Sequence, residues 1–133
     1  MFVLDLRLAA DTLPVTVLPL CEVRLKRGAA GNPWLVLVPQ RPGLVEMHDL
    51  MPGDRYALMD EIAAVGAALK SVSGCDKINV AAFGNMVAQM HVHVIARYCG
   101  DRWWPGAIDM GAPPVEWAEP AFVAFRDRFN AQL

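Results

Sequence analysis

Two histidines and a glutamine alternate with apolar residues in the segment Gln-Met-His-Val-His-Val-Ile, which begins at position 89. Successive side chains of a β-strand point to opposite faces, so a strand here would place Gln89, His91 and His93 on one face, about 7 Å apart. The residues between them would fill the apolar face. Such a row of hydrogen-bonding side chains suits a phosphate or a metal ion better than a core. The pattern therefore predicts a chemical site, with a solvated polar strand face as the alternative.

Two histidines on one strand could bind zinc, which usually takes three or four Cys, His or carboxylate ligands. The only other histidine is His48, and Cys21, Cys75 and Cys99 stand singly without C-x-x-C spacing. No third and fourth ligand is evident from the sequence. We therefore expect neither a metal nor a cofactor.

A short polar turn, Gly84-Asn85-Met86, comes just before the two histidines. Glycine lets backbone N–H groups approach an anion closely, and the side chain of Asn85 can donate a further hydrogen bond. A Gly-Asn pair also turns many hairpins for purely conformational reasons. The neighbouring histidines favour a phosphate-binding turn.

The stretch from Gly84 to Arg97, G-N-M-V-A-Q-M-H-V-H-V-I-A-R, resembles the signature of the histidine triad (HIT) family. That signature reads H-φ-H-φ-H-φ-φ, with φ apolar, after a Gly-polar-Ser/Thr-Val turn. This chain departs from it at two positions, because Gln89 replaces the first histidine and Met86 replaces the serine or threonine.

Further similarity lies outside the motif. The stretch W-L-V-L-V-P-Q-R-P at residues 34–42, followed by M-H-D-L at residues 47–50, resembles the family's strand and the entry to its main helix. Trp104-Pro105-Gly106 resembles the W-P-P-G ending of some members. The resemblance covers about residues 21–106.

The resemblance implies catalytic roles for three residues. The family's central, nucleophilic histidine corresponds to His91 and the third histidine to His93. A carboxamide can donate and accept hydrogen bonds but cannot take up a proton near neutral pH. We therefore expect Gln89 to position its neighbours.

The resemblance also implies binding residues. The turn Gly84-Asn85-Met86 corresponds to the family's phosphate contacts, with Met86 acting through its backbone. Asn79, on the preceding strand, corresponds less closely to an asparagine that contacts the nucleotide.

The activity implied is hydrolysis or transfer at the α-phosphate of an adenine nucleotide, such as a diadenosine polyphosphate or a nucleoside phosphoramidate, through a phosphohistidine at His91. HIT proteins are typically homodimers. The replacement at Gln89 keeps open a nucleotide-binding module without catalysis. A nucleotidyl transferase is the other alternative, although the related galactose-1-phosphate uridylyltransferases carry their glutamine in the third position and not in the first.

Composition bounds these hypotheses. The chain has 133 residues, of which 55% are apolar, and this suits a single domain at 1–133, with a core at about 18–106 and a tail and helix at 107–133. The net charge of −2 gives no basic surface for a nucleic-acid duplex or a membrane. Asp5 and Arg7 interrupt the apolar start, so no signal peptide is expected. Scattered cysteines are typical of a reduced compartment, so we expect a cytoplasmic protein whose partner is a small-molecule nucleotide.

The hydrophobic patterns predict an α+β domain with an antiparallel sheet of about five strands, one long helix and a C-terminal helix. A short helix or extended lead-in is predicted at 4–10. Strands are predicted at 18–26, 34–38, 76–83 and 87–98. The long helix begins between Asp49 and Asp54 and ends near Val72, with Ser73-Gly74 as its cap. The C-terminal helix begins at Pro120 and carries Phe122, Phe125 and Phe129 on one stripe, which predicts core or dimer packing.

Overall fold

The computed structural model describes residues 1–133 as an α+β domain. Its helices are α1 (Leu6–Asp11), α2 (Pro52–Ser73) and α3 (Glu119–Gln132), with a short 3₁₀ turn at Met47–Asp49. Its strands are β1 (Thr12–Val17), β2 (Cys21–Lys26), β3 (Trp34–Pro39), β4 (Lys77–Ala81) and β5 (Val92–Arg97). The five strands form one sheet in the order β1-β2-β3-β5-β4, and every neighbouring pair is antiparallel. The predicted fold class is confirmed.

Helix α2 begins with Pro52, whose missing N–H costs nothing in the first turn. It ends at Gly74, which adopts the left-handed conformation with φ of 64° and donates its N–H to the carbonyl of Lys70. A Cβ on Gly66 would lie 3.7 Å from the side chain of Ile78, so the helix passes close to the sheet here. The predicted main helix is confirmed. None of the helices is both long and apolar enough to span a membrane.

Strand β3 is buried along its whole length because both faces of the sheet are covered there. Leu35 and Leu37 point into the larger core, which α2 and α3 complete. Trp34 and Val36 point to the opposite face and pack in a smaller cluster with Leu8 of α1. The continuously apolar sequence of this strand predicts its central place, and the structure confirms it.

A buried carboxylate joins α2 to the beginning of β2. The side chain of Glu61 accepts hydrogen bonds from the backbone N–H groups of Leu20, at 2.8 Å, and Cys21, at 2.9 Å. Burial, with the nearby Glu61 carboxylate, raises the pKa of the Cys21 thiol far above its ordinary value. Cys21 therefore stays protonated and packs as a small apolar side chain.

The structure differs from the sequence-based prediction at β1. This strand was not predicted, because Pro14 lies inside it. Since β1 is at the edge of the sheet, the absent N–H of Pro14 removes no hydrogen bond that the sheet requires. The register with β2 shifts between Pro14 and Thr16.

The prediction that the motif strand begins at residue 87 is wrong, because β5 begins at Val92. Before that point the chain leaves the sheet, and the N–H of Met90 donates to the carbonyl of Leu44 at 3.0 Å. Gln89 and His91 therefore lie outside the strand, and only His93 lies within it. The three side chains do not form the predicted row on one strand face.

An ion pair secures the other end of β5. The guanidinium of Arg97 donates to Asp101 at 2.8 and 3.0 Å, to Asn79 of β4 at 2.8 Å and to the carbonyl of Gly106 at 2.8 Å. The side chains of Arg97 and Asp101 are only 1% and 6% exposed. The hydrogen bonds from Arg97 hold the pKa of Asp101 well below its usual range. This network ties β5 to β4 and to the C-terminal tail.

Helix α3 packs on the same side of the sheet as α2. Its apolar stripe, Phe122, Phe125 and Phe129, is buried in the larger core. The stripe predicted from a helical period therefore serves core packing.

Replacing Asp101 by Asn should lower the free energy of unfolding by about 3 kcal/mol, because the buried Arg97 would lose its counter-charge. The folded-state pKa of Asp101 lies below its unfolded value of about 3.9, so its stabilisation is complete above that value and is lost as the pH falls through and below it. Urea unfolding at pH 7 and pH 3 should therefore show a smaller acid-dependent loss in Asp101→Asn than in wild type.

The matched control is Asp127→Asn, because the side chain of Asp127 is mostly exposed and pairs only with Arg126. It should change stability by less than about 0.5 kcal/mol. Equal effects of the two substitutions would contradict a structural role for the buried pair.

Candidate functional site

A cavity of about 520 Å³ lies on the sheet face that carries Trp34 and Val36. Its size is that of a pocket for a nucleotide-sized molecule. Its walls come from α1, the adjoining ends of β1 and β2, the turn after β4, the face of β3 and β5 that carries Val36 and His93, and the tail. The lining residues are Arg7, Leu8, Asp11, Thr12, Lys26, Val36, Phe83, Gly84, Asn85, Met86, Val87, His91, His93 and Met110.

His91 is buried immediately before β5. Its Nδ1 lies 2.7 Å from the backbone carbonyl oxygen of Gln89. A carbonyl can only accept a hydrogen bond, so Nδ1 carries the proton of the neutral ring and donates it. The other ring nitrogen, Nε2, is left with a free lone pair. An unprotonated Nε2 has the chemistry of a nucleophile, and the catalytic role of His91 stays a prediction.

His93 is buried on β5 and has the opposite arrangement. The indole Nε1–H of Trp34 donates to Nδ1 of His93 at 2.8 Å. Because an indole N–H can only donate, Nδ1 is the acceptor and the proton of the neutral ring lies on Nε2. His93 can therefore donate a hydrogen bond into the cavity.

The pKa of His93 is lowered to about 4, chiefly by burial and then by its proximity to His91 and Lys26, with Asp11 opposing the shift. The bond from Trp34 acts in the same direction, because protonation of Nδ1 would break it. His93 is consequently neutral at physiological pH.

The two imidazoles are in direct contact. Their centroids are 5.0 Å apart and their planes are nearly perpendicular, at 83°. Phe83 also packs against His93, with centroids 5.7 Å apart. The cavity thus contains one ring nitrogen that can attack an electrophile and, beside it, one N–H that can stabilise negative charge.

The turn after β4 lines the same cavity. Gly84 has φ of 72°, in the left-handed region that favours glycine. Asn85 and Met86 follow it and are exposed at the cavity. The structure therefore brings the three predicted phosphate-binding residues together with His91 and His93, and their binding role stays a prediction.

Two of the predicted site residues lie elsewhere. The side chain of Gln89 bonds to the backbone of Val3 and Asp5 and does not line the cavity. Asn79 accepts a hydrogen bond from Arg97 and also lies outside the cavity lining, so its contact with a nucleotide stays a prediction. His48 is on the surface, with a side chain that is 83% exposed.

Two contributors to the site were not predicted from the sequence. Trp34 was predicted only as the first residue of a strand, although a buried indole N–H needs an acceptor and a histidine on a neighbouring strand can supply one. Helix α1 contributes Arg7, Leu8 and Asp11 to the cavity, which no local pattern indicates. No group of three or more His, Cys, Asp and Glu side chains is placed to hold a metal ion, and the absence of a metal stays a prediction.

The chain is similar to known proteins over most of its length. The sequence profile of the HIT domain matches residues 11–100. No curated protein matches the chain.

Solved structures with the same fold include three histidine triad proteins. The protein from Sinorhizobium meliloti is 42% identical, with a TM-score of 0.95, and the match covers 99% of this chain and 97% of that one. The protein from Bradyrhizobium japonicum is 40% identical, with a TM-score of 0.94 and coverages of 98% and 97%. The protein from Marinobacter aquaeolei is 38% identical, with a TM-score of 0.94 and coverages of 100% and 96%. The domain match and these identities together show that the chain belongs to the histidine triad (HIT) family.

Proposed function

We propose that this protein hydrolyses an adenine nucleotide at its α-phosphate, through a phosphohistidine formed on His91. HIT proteins commonly bind and hydrolyse nucleotides, which fits a cavity of this size. The observation that carries the proposal is the pair of hydrogen bonds that assign opposite tautomers to the two rings. The hydrogen bond from Nδ1 of His91 to Gln89 leaves a nucleophilic Nε2, and the bond from Trp34 makes Nε2–H of His93 a donor.

The reaction takes two steps. In the first, the lone pair of His91 Nε2 attacks the α-phosphorus, an N–P bond forms, and the bond from phosphorus to the leaving group breaks with its electron pair going to that group. A polyphosphate leaves as its anion, whereas the amine of a phosphoramidate also takes up a proton from solvent. The imidazole is then positively charged, and the carbonyl of Gln89 stabilises it by accepting the Nδ1 proton in a hydrogen bond. In the second step, water attacks phosphorus, the N–P bond breaks, and the nucleoside monophosphate leaves with one proton released to solvent.

His93 and the turn at Gly84-Asn85-Met86 stabilise the phosphoryl oxygens in this scheme. A neutral His93 donates from Nε2 at every pH well above its pKa of about 4. The backbone N–H groups of the turn supply further donors without a proton transfer. The largely apolar wall formed by Leu8, Val36 and Phe83 receives the nucleoside.

Diadenosine polyphosphates and nucleoside phosphoramidates are the substrate types that this proposal covers. The free lone pair on Nε2 of His91 and the neighbouring Nε2–H of His93 support hydrolysis over nucleotide binding alone. A nucleotidyl transferase would use the same first step and replace water by another acceptor. The cytoplasmic location predicted from the sequence stays a prediction.

We also propose that two copies of the chain form a homodimer. Strand β4 lies at the edge of the sheet and exposes Val80, while α2 exposes Tyr56 and Met59. A second copy of the chain would cover such exposed apolar side chains. Sedimentation equilibrium should give twice the chain mass of 14.6 kDa, and a monomer at micromolar concentration would contradict this.

Replacing His91 by Ala should abolish turnover of diadenosine tetraphosphate and leave nucleotide binding in place, because the nucleophile acts on the chemical step. Mass spectrometry of the intact wild-type protein, quenched without acid during turnover, should show a covalent adduct heavier than the protein by the mass of a nucleoside monophosphate less one water. His48→Ala is the matched control, since His48 is exposed and away from the cavity. Turnover of His91→Ala within about tenfold of wild type would refute the assignment of the nucleophile.

Replacing Trp34 by Phe should lower kcat by about tenfold, because Nδ1 of His93 would lose its donor and the neutral ring could take either tautomer. The pKa of His93 should rise above about 4, since protonation of Nδ1 would no longer break a hydrogen bond, but burial should keep it below the ordinary value near 6.5. An NMR titration of the His93 ring resonances measures this directly. An unchanged pKa and kcat would show that the Trp34 bond has no part in the site.

A further inference from the structure

An N-terminal arm, defined here as residues 1–11, lies against the site and ends in α1. The arm brings Arg7 to the cavity, where the guanidinium Nη1 donates to the carbonyl of Met86 at 3.0 Å. Arg7 is thereby joined to the turn Gly84-Asn85-Met86, called the phosphate turn below, although 79 residues separate Arg7 and Met86 in sequence. Its side chain remains 65% exposed.

The position of the arm depends on Gln89. The side-chain oxygen of Gln89 accepts from the N–H of Asp5 at 2.8 Å, and its Nε2 donates to the carbonyl of Val3 at 2.8 Å. These two backbone groups flank Leu4, and a carboxamide meets both because its donor and acceptor lie side by side at the end of the side chain. An imidazole has its two nitrogens on divergent directions of the ring, so a histidine at position 89 could not make both bonds in this way.

Some N–H groups of the Arg7 guanidinium have no hydrogen-bond partner within the protein. Of its five N–H groups, Nε and one from Nη2 bond to the carboxylate of Asp5, at 3.2 and 3.1 Å, and one from Nη1 bonds to Met86. The other two N–H groups make no hydrogen bond within the protein, and Arg7 lines the cavity. A guanidinium with two free N–H groups suits an oxyanion, and phosphate above all.

We propose that Arg7 is a specificity-determining residue that binds the phosphates of the leaving group, and that Gln89 is the positioning residue that holds Arg7 in place. This inference rests on the proposed function and narrows its substrate. Attack by His91 at the α-phosphate leaves any further phosphates on the leaving group, and Arg7 is the cation that stands beside the phosphate turn. The protein therefore prefers nucleotides whose leaving group carries phosphate to phosphoramidates, whose amine leaving group gives Arg7 no anion to bind.

The first experiment measures the binding of ATP and AMP by calorimetry in the His91→Ala background, which prevents turnover of ATP, with and without Arg7→Gln. With Arg7 present, ATP should bind more tightly than AMP, and Arg7→Gln should reduce that ratio by about tenfold, the effect of losing one charge-assisted hydrogen bond. In the same background, Arg126→Gln, which removes an equal charge from α3 outside the cavity, should leave the ratio unchanged. An equal reduction in both variants, or in neither, would overturn the role of Arg7.

The second experiment tests whether Gln89 acts through Arg7. Gln89→Ala and Gln89→His should each speed hydrogen exchange of the amides in residues 2–8 by at least about tenfold, since the arm would lose one or both bonds. Gln89→Ala should also reduce the ATP-to-AMP ratio, and adding it to Arg7→Gln should reduce the ratio no further. Unchanged exchange, or additive losses in the double variant, would overturn the positioning role.

Failure of this inference is distinguishable from failure of the proposed function. Normal formation of the phosphohistidine adduct with an unchanged ATP-to-AMP ratio in Arg7→Gln would overturn the role of Arg7 alone. A lowered ratio without any adduct would support Arg7 as a phosphate-binding residue and refute the phosphohistidine mechanism. No binding of either nucleotide to the wild-type protein would overturn both.

Discussion

The hydrogen bond from the indole of Trp34 to Nδ1 of His93 links the centre of the sheet to the site. Trp34 pairs with Ile95 and Val36 pairs with His93, so Trp34 and His93 are diagonal neighbours on the same face of β3 and β5. A shift of register by one residue between β3 and β5 would place the two side chains on opposite faces of the sheet and break the hydrogen bond. The burial of β3 on both faces excludes water that would compete for Nδ1. The pairing of β3 with β5 therefore determines which ring nitrogen of His93 carries the proton.

The start of β5 at Val92 determines the tautomer of His91 in a comparable way. Within a sheet, the carbonyl of Gln89 would belong to the ladder of backbone hydrogen bonds. Because the chain leaves the sheet before Val92, that carbonyl is free to accept from His91. The two histidines thus have opposite tautomers because one precedes the strand and the other lies within it. The ion pair of Arg97 and Asp101 secures the far end of the same strand.

The sequence predicted the fold where periodicity and end signals agree. The helical period and Gly74 located α2, the continuous apolar run located β3, and the phenylalanine stripe located α3. The family resemblance and the alternation at 89–95 together pointed to His91 and His93, which the structure places in one cavity.

Long-range contacts limited what the sequence could predict of the site. Alternation continues through Gln89, but the strand does not, because Met90 bonds to Leu44 in a loop that no local pattern connects with it. The partner of Gln89 is the arm, 84 residues away from it in sequence, and Trp34 meets His93 across 59 residues. The residue types therefore predicted a chemical site. The hydrogen-bond partners that set the tautomer or the position of each side chain depend on long-range contacts, which only the folded chain shows.

The central claim is that His91 and His93 have opposite neutral tautomers, and nitrogen NMR of the histidine rings in the free protein tests it most directly. Long-range proton–nitrogen correlation spectra at pH 7 distinguish a protonated from an unprotonated ring nitrogen at each position. The account predicts a proton on Nδ1 and a bare Nε2 in His91, with a bare Nδ1 and a proton on Nε2 in His93. The same tautomer in both rings, or a protonated Nε2 in His91, would contradict it.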